Sequence, residues 1–172
     1  VYTLTLESLV QVKDVSKLGG VHTLTLSLLN VADVSKLGGV YTLTLNLLNV
    51  VDVSALCSVH NLTLTRLKKL RDVSVLDGVH TLSLIDLENV RDVSKLGGVH
   101  TLTLQWLKNV TDVSALHSVH TLTLRALRGV TDVSKLGNVH TLTLRALPQE
   151  VDKRVYWRRL REGIRRAYSD VD

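Results

Sequence analysis

The chain has 172 residues and a formal net charge of +5; 45% of its residues are apolar, with no Phe, no Met, one Pro and one Cys. This length fits one domain, and the lone Cys57 excludes an internal disulfide and suits a reducing compartment. No apolar run approaches the roughly 18 residues of a membrane span, and the first residues lack the basic and long apolar regions of a signal peptide, so the expected location is cytoplasmic.

From Val1 onward one motif recurs. Near-copies of VHTLTL begin at Val1, Val21, Val40, Val59, Val79, Val99, Val119 and Val139, at steps of 20, 19, 19, 20, 20, 20 and 20 residues. In the unit at residues 99–118 the apolar positions are Val99, Leu102, Leu104, Leu107, Val110, Val113 and Leu116. The T-L-T-L section alternates with period two, which predicts a short strand with Leu inward and Thr outward. The later apolar positions come every three residues, as in a tight coil that keeps one residue in three on a common axis. The D-V-S-x-L segment then returns the chain. Its Asp (Asp14, Asp33, Asp52, Asp72, Asp92, Asp112, Asp132) is expected to accept a backbone N–H in an Asx turn, with the Ser two places on capping a 3₁₀ turn. Glycine pairs such as Gly19-Gly20, Gly38-Gly39 and Gly97-Gly98 are expected to supply positive φ there. A single unit cannot bury its own apolar residues; stacked in parallel at roughly 4.8 Å, each layer buries the next.

At this point the pattern V-x-x-L-x-L-x-x-L-x-x-V resembles the leucine-rich repeat family, whose segment reads L-x-x-L-x-L-x-x-N/C-x-x-L. The resemblance covers residues 1–147 and implies an α/β-type repeat solenoid with a parallel β-sheet on its concave face and short 3₁₀ or turn return segments. The D-V-S-x-L return looks like the short internalin-like or SDS22-like subclass, and similar repeats occur in protists and large DNA viruses; in a viral setting the location would be the virion or host cytoplasm. One departure is plain. Counted from the start of each unit, the family's ninth-position Asn or Cys is Leu throughout: Leu9, Leu29, Leu48, Leu67, Leu87, Leu107, Leu127 and Leu147. The side-chain ladder that would bond the loop backbone is then missing, and those backbone groups must find water or each other.

The repeat stops at Pro148, and residues 148–172 read as a second segment, a basic amphipathic α-helical C-terminal cap. Glu150 and Asp152 lie early and Arg165 and Arg166 late, matching helix polarity. Tyr156, Trp157, Leu160, Ile164, Ala167 and Tyr168 share one arc, suited to covering the last layer; Arg154, Arg158, Arg161 and Arg165 form an adjacent stripe. That stripe is a candidate anionic docking surface, for nucleic acid among others. At the other end the chain starts inside a repeat and without Met, which reads as a fragment or processed product. Val1, Leu4 and Leu6 would expose a sheet edge there, to be covered by a missing segment or by self-association.

Candidate chemistry is sparse. The Asp, Ser and His residues recur at structural positions instead of converging once, so no enzyme activity, cofactor or native metal is expected. His22, His60, His80, His100, His120 and His140, with Tyr2 and Tyr41 substituting, predict a packed ring column. The outward T-x-T pairs predict two Thr columns broken only by Asn61 and Ser83, a regular face like those of ice-binding β-solenoids. Positions seven and eight are the variable outward pairs, among them Ser27-Leu28, Asn46-Leu47, Ile85-Asp86 and Gln105-Trp106. A fixed scaffold with variable columns suits a non-catalytic protein–protein interaction scaffold, with Arg66, Ile85, Asp86, Gln105, Trp106, Arg125 and Arg145 as contact residues for a protein partner. Ice binding by the Thr face and nucleic-acid or anionic-surface binding at the basic end are the alternatives.

Overall fold

A computed structural model of the chain describes residues 2–148. Eight strands form one parallel sheet in sequence order: β1 Thr3–Glu7, β2 Thr23–Leu28, β3 Thr42–Leu47, β4 Asn61–Thr65, β5 Thr81–Ile85, β6 Thr101–Gln105, β7 Thr121–Arg125 and β8 Thr141–Arg145. The register places like on like. Leu82 pairs with Leu102, Leu102 with Leu122, and the flanking Thr residues do the same. Leucines of the inner face, such as Leu24, Leu64 and Leu104, are fully buried, and Val and Leu from the coil complete a single core running the length of the stack. Leu4 and Leu6 at β1 and Leu142 and Leu144 at β8 are only half-buried, because each lacks a second layer among the described residues.

The return segment keeps the expected Asx turn in all seven layers that contain it. The Ser N–H donates to the Asp Oδ1 two residues earlier, at 2.8 Å for Ser16 and Asp14 and 2.7 Å for Ser134 and Asp132. Short 3₁₀ turns follow, among them Ser74–Gly78, Ser94–Gly98 and Ser114–Ser118. Two details differ from expectation. Ser does not cap these turns: Val precedes the first residue and no side-chain cap bond forms. Nor does any described glycine adopt positive φ. Glycine serves by having no Cβ. A Cβ on Gly97 would lie 2.8 Å from the Ala115 carbonyl oxygen of the next layer, and one on Gly38 would collide with the Ala55 carbonyl oxygen.

The unit lengths explain a third difference. In the second and third layers the strand runs one residue further, and Leu28 and Leu47 are buried, not outward. Leu29 is instead 53% exposed and Leu48 half-buried. The core leucine therefore keeps a constant distance from the following Asp, not from the start of the unit. In the 20-residue layers the additional residue, just before that leucine, takes a left-handed backbone: Ser8, Arg66, Asp86, Trp106, Ala126 and Ala146 have φ between 49° and 58°. The post-strand loop also has its polar ladder after all, displaced two residues beyond the core leucine. Asn30, Asn49, Asn89 and Asn109 donate through Nδ2 to the carbonyls of Val10, Leu29, Lys68 and Glu88 in the preceding layer.

The C-terminal capping helix expected from the sequence falls on residues outside those described, as do Arg154, Arg158, Arg161 and Arg165.

Candidate functional site

Alternation along each strand puts three columns on the outer face of the sheet. The first two are the Thr columns. The third is variable, and parallel pairing sets Ile85 beside Gln105, Gln105 beside Arg125 and Arg125 beside Arg145. The left-handed residues form a fourth column directly after the strand ends. Their N–H groups extend the sheet bonding by one step: Arg66 donates to the Ile85 carbonyl at 3.1 Å, Asp86 to Gln105 at 3.0 Å, Trp106 to Arg125 at 3.1 Å and Ala126 to Arg145 at 3.0 Å. All seven contact residues expected from the sequence thus lie in two adjacent columns at the carboxyl ends of β4–β8. Trp106 is 52% exposed.

One further column belongs to this rim and was not singled out in the sequence. Four residues before each Asp stand Val10, Leu29, Leu48, Lys68, Glu88, Lys108 and Arg128, apolar in the first three layers and charged afterwards. Lys108 and Glu88 form an ion pair at 3.5 Å. Counting back from the Asp, instead of forward from VHTLTL, would have aligned this column.

The ring column at the opposite strand ends is continuous from Tyr2 to His140. Successive centroids lie 4.5–5.0 Å apart with interplanar angles of 8–29°. Hydrogen bonds join His22, His80 and His120 Nδ1 to the Oγ1 of the following Thr. Partial desolvation, then the neighbouring His140 and His100, hold the His120 imidazole below its ordinary pKa. On the return side, the Ser16 backbone N–H and then its hydroxyl hold the Asp14 carboxyl below the usual range, and Asp33, Asp52, Asp92 and Asp112 follow the same pattern; at Asp72 the Ser74 hydroxyl leads. Asp and Ser therefore act on each other within one turn. Among the described residues no group of three or more His, Cys, Asp or Glu could hold a metal ion, and no helix is long and apolar enough to cross a membrane.

One parallel sheet, in-register leucines and short 3₁₀ returns define a leucine-rich-repeat-like solenoid. No protein-family model matches the chain, and no curated protein matches it. Among solved structures, the functional domain of InlJ from Listeria monocytogenes, which includes a cysteine ladder, is similar at 15% identity and a TM-score of 0.41. That match covers 78% of this chain and 46% of the other, so this chain spans less than half the length of its structural neighbour.

Proposed function

We propose that the chain is a non-catalytic protein–protein interaction scaffold of the short leucine-rich-repeat type, working in a reducing compartment. One observation carries this reading. Beside Thr columns repeated layer after layer, residue identity varies in two adjacent columns, and at the carboxyl ends of β4–β8 these hold Arg66, Ile85, Asp86, Gln105, Trp106, Arg125 and Arg145. Exposed Trp and Arg are the side chains most often responsible for binding energy at protein interfaces. A catalytic role finds less support, because the Asp and Ser side chains are engaged in the repeated turns and the His rings in the stack. The Thr face supports ice binding less well, since Thr23, Thr42, Thr81 and Thr121 hydroxyls already bond protein groups.

The test is chemical cross-linking followed by capture, comparing the wild type with the Trp106→Ala/Arg125→Ala variant. The reading expects partners recovered by the wild type and lost by the variant. Equal recovery of every partner would overturn it.

A further inference from the structure

The left-handed column drops in height at one point. Arg66, Asp86 and Trp106 are followed by Ala126 and Ala146, so the exposed indole stands at the head of a shelf two layers long, about 10 Å at parallel-strand spacing. Methyl groups form its floor. Arg125 and Arg145, adjacent in register and both exposed, border it on the strand side, and exposed Arg128 lies in the loop beyond Ala126. Lys108–Glu88 is the only ion pair among the described residues, so these three guanidinium groups have no carboxylate partner there. On the other side of Trp106 one acid, Asp86, stands one layer earlier in the same column, while Glu88 just after it is paired with Lys108 and Arg66 stands a layer further back.

We propose that this shelf binds a short segment of an acidic protein. An apolar side chain of the segment packs against Trp106 over Ala126 and Ala146. Carboxylates on one side of it meet Arg125, Arg145 and Arg128, whose planar guanidinium groups match carboxylate geometry. The acid at Asp86, which breaks the basic run, favours peptide over nucleic acid. A uniform polyanion laid along the stack would meet Asp86 as a like charge beside the indole, whereas a peptide can change sign at that step and place a basic residue there. This inference rests on the interaction-scaffold reading and names the chemistry of its partner.

Panning a random-peptide phage library on the full chain tests it, with synthetic copies of the enriched peptides measured by fluorescence anisotropy. The expected peptides join an aliphatic or aromatic residue to Asp or Glu on one side only. Trp106→Ala should weaken them by about tenfold or more, and Arg125→Gln/Arg145→Gln should do the same while flattening the salt dependence. Alanine already occupies the left-handed position in the next two layers, so Trp106→Ala keeps the backbone; an unchanged urea midpoint checks this. Three results would overturn the proposal: enriched peptides without acidic residues, acidic peptides whose affinity survives Trp106→Ala, or an oligothymidylate that displaces them at lower concentration than free peptide does. Peptides of another composition that still depend on the two columns would leave the scaffold reading standing. That reading fails by its own test, equal recovery of cross-linked partners.

Discussion

At the scale of single residues, glycine and its alternatives are distributed against habit. Left-handed backbone, usually left to Gly or Asn, falls here on Ser, Arg, Asp, Trp and Ala, while glycines such as Gly19, Gly38, Gly97 and Gly129 sit where neighbouring carbonyls press close. A non-glycine residue in that conformation costs about 1–2 kcal/mol, part of which glycine returns as freedom of the unfolded chain. Ala126→Gly is therefore expected to raise stability by about 0.5–1 kcal/mol, seen as a higher urea midpoint at unchanged slope; a lower midpoint would contradict the strain argument. The opposite pair tests the close approach. Gly38→Ala should destabilise by about 1–3 kcal/mol because its Cβ meets the Ala55 backbone, whereas Gly137→Ala, with nothing within 4 Å among the described residues, should change stability by less than about 0.5 kcal/mol. Cys57, Asp77 and His117 occupy the position equivalent to Gly38 in other layers, so the close approach belongs to particular layer pairs and not to the repeat.

At the scale of elements, the stacked rings and the Asx turns make stability depend on pH in two separate ranges. A His whose pKa is depressed by folding adds stability that is complete above its unfolded value of 6.5 and is lost as pH falls toward its folded value. The Asp carboxyls are depressed from 3.8, so their contribution is complete above that value and is lost as pH falls further, through their folded values. Melting temperature should thus be lower near pH 5 than near pH 7.5, through His120. Changing His80, His100 and His120 to Tyr, the residue already stacked at Tyr2 and Tyr41, should shrink that difference; a difference of the same size would remove the rings as its cause. The strands, their register, the Asx turns and the ring stack were all legible in the sequence, because period-two alternation and fixed spacing have only one way to stack. The post-strand loop was not. Reading units forward from VHTLTL put Leu28 and Leu47 outside, since strand length alone does not tell which side of a one-residue deletion moves. Arg66, Asp86 and Trp106 gave no hint of positive φ, because it is imposed by the ladder and not chosen by side chain. The seven candidate contact residues stood out because they vary; the rim column of Lys68, Glu88, Lys108 and Arg128 escaped because the same misalignment blurred it.

At the scale of the whole molecule, the main contacts of each strand and turn are with the layers immediately before and after. Stability is then close to a sum over layers and their interfaces. Excising residues 79–98 should join Gly78 to Val99 and bring His60 onto His100 without disturbing the leucine core. Far-UV circular dichroism per residue should be unchanged and the urea midpoint lower; loss of the folded spectrum would show long-range dependence that the contacts do not contain. The surface columns have no such independence, since removing this layer also removes Ile85 and Asp86 from the patch.

The two short layers carry a consequence for how such a chain can change through its gene. Gain or loss of one codon between the strand and the following leucine is absorbed at once, because the buried leucine is fixed by its distance to the Asp and not by the strand. An in-frame change of three bases adds or deletes one outward side chain and leaves the interior alone. Duplicated units can therefore diverge by length as well as by substitution, at the position where Trp106 stands.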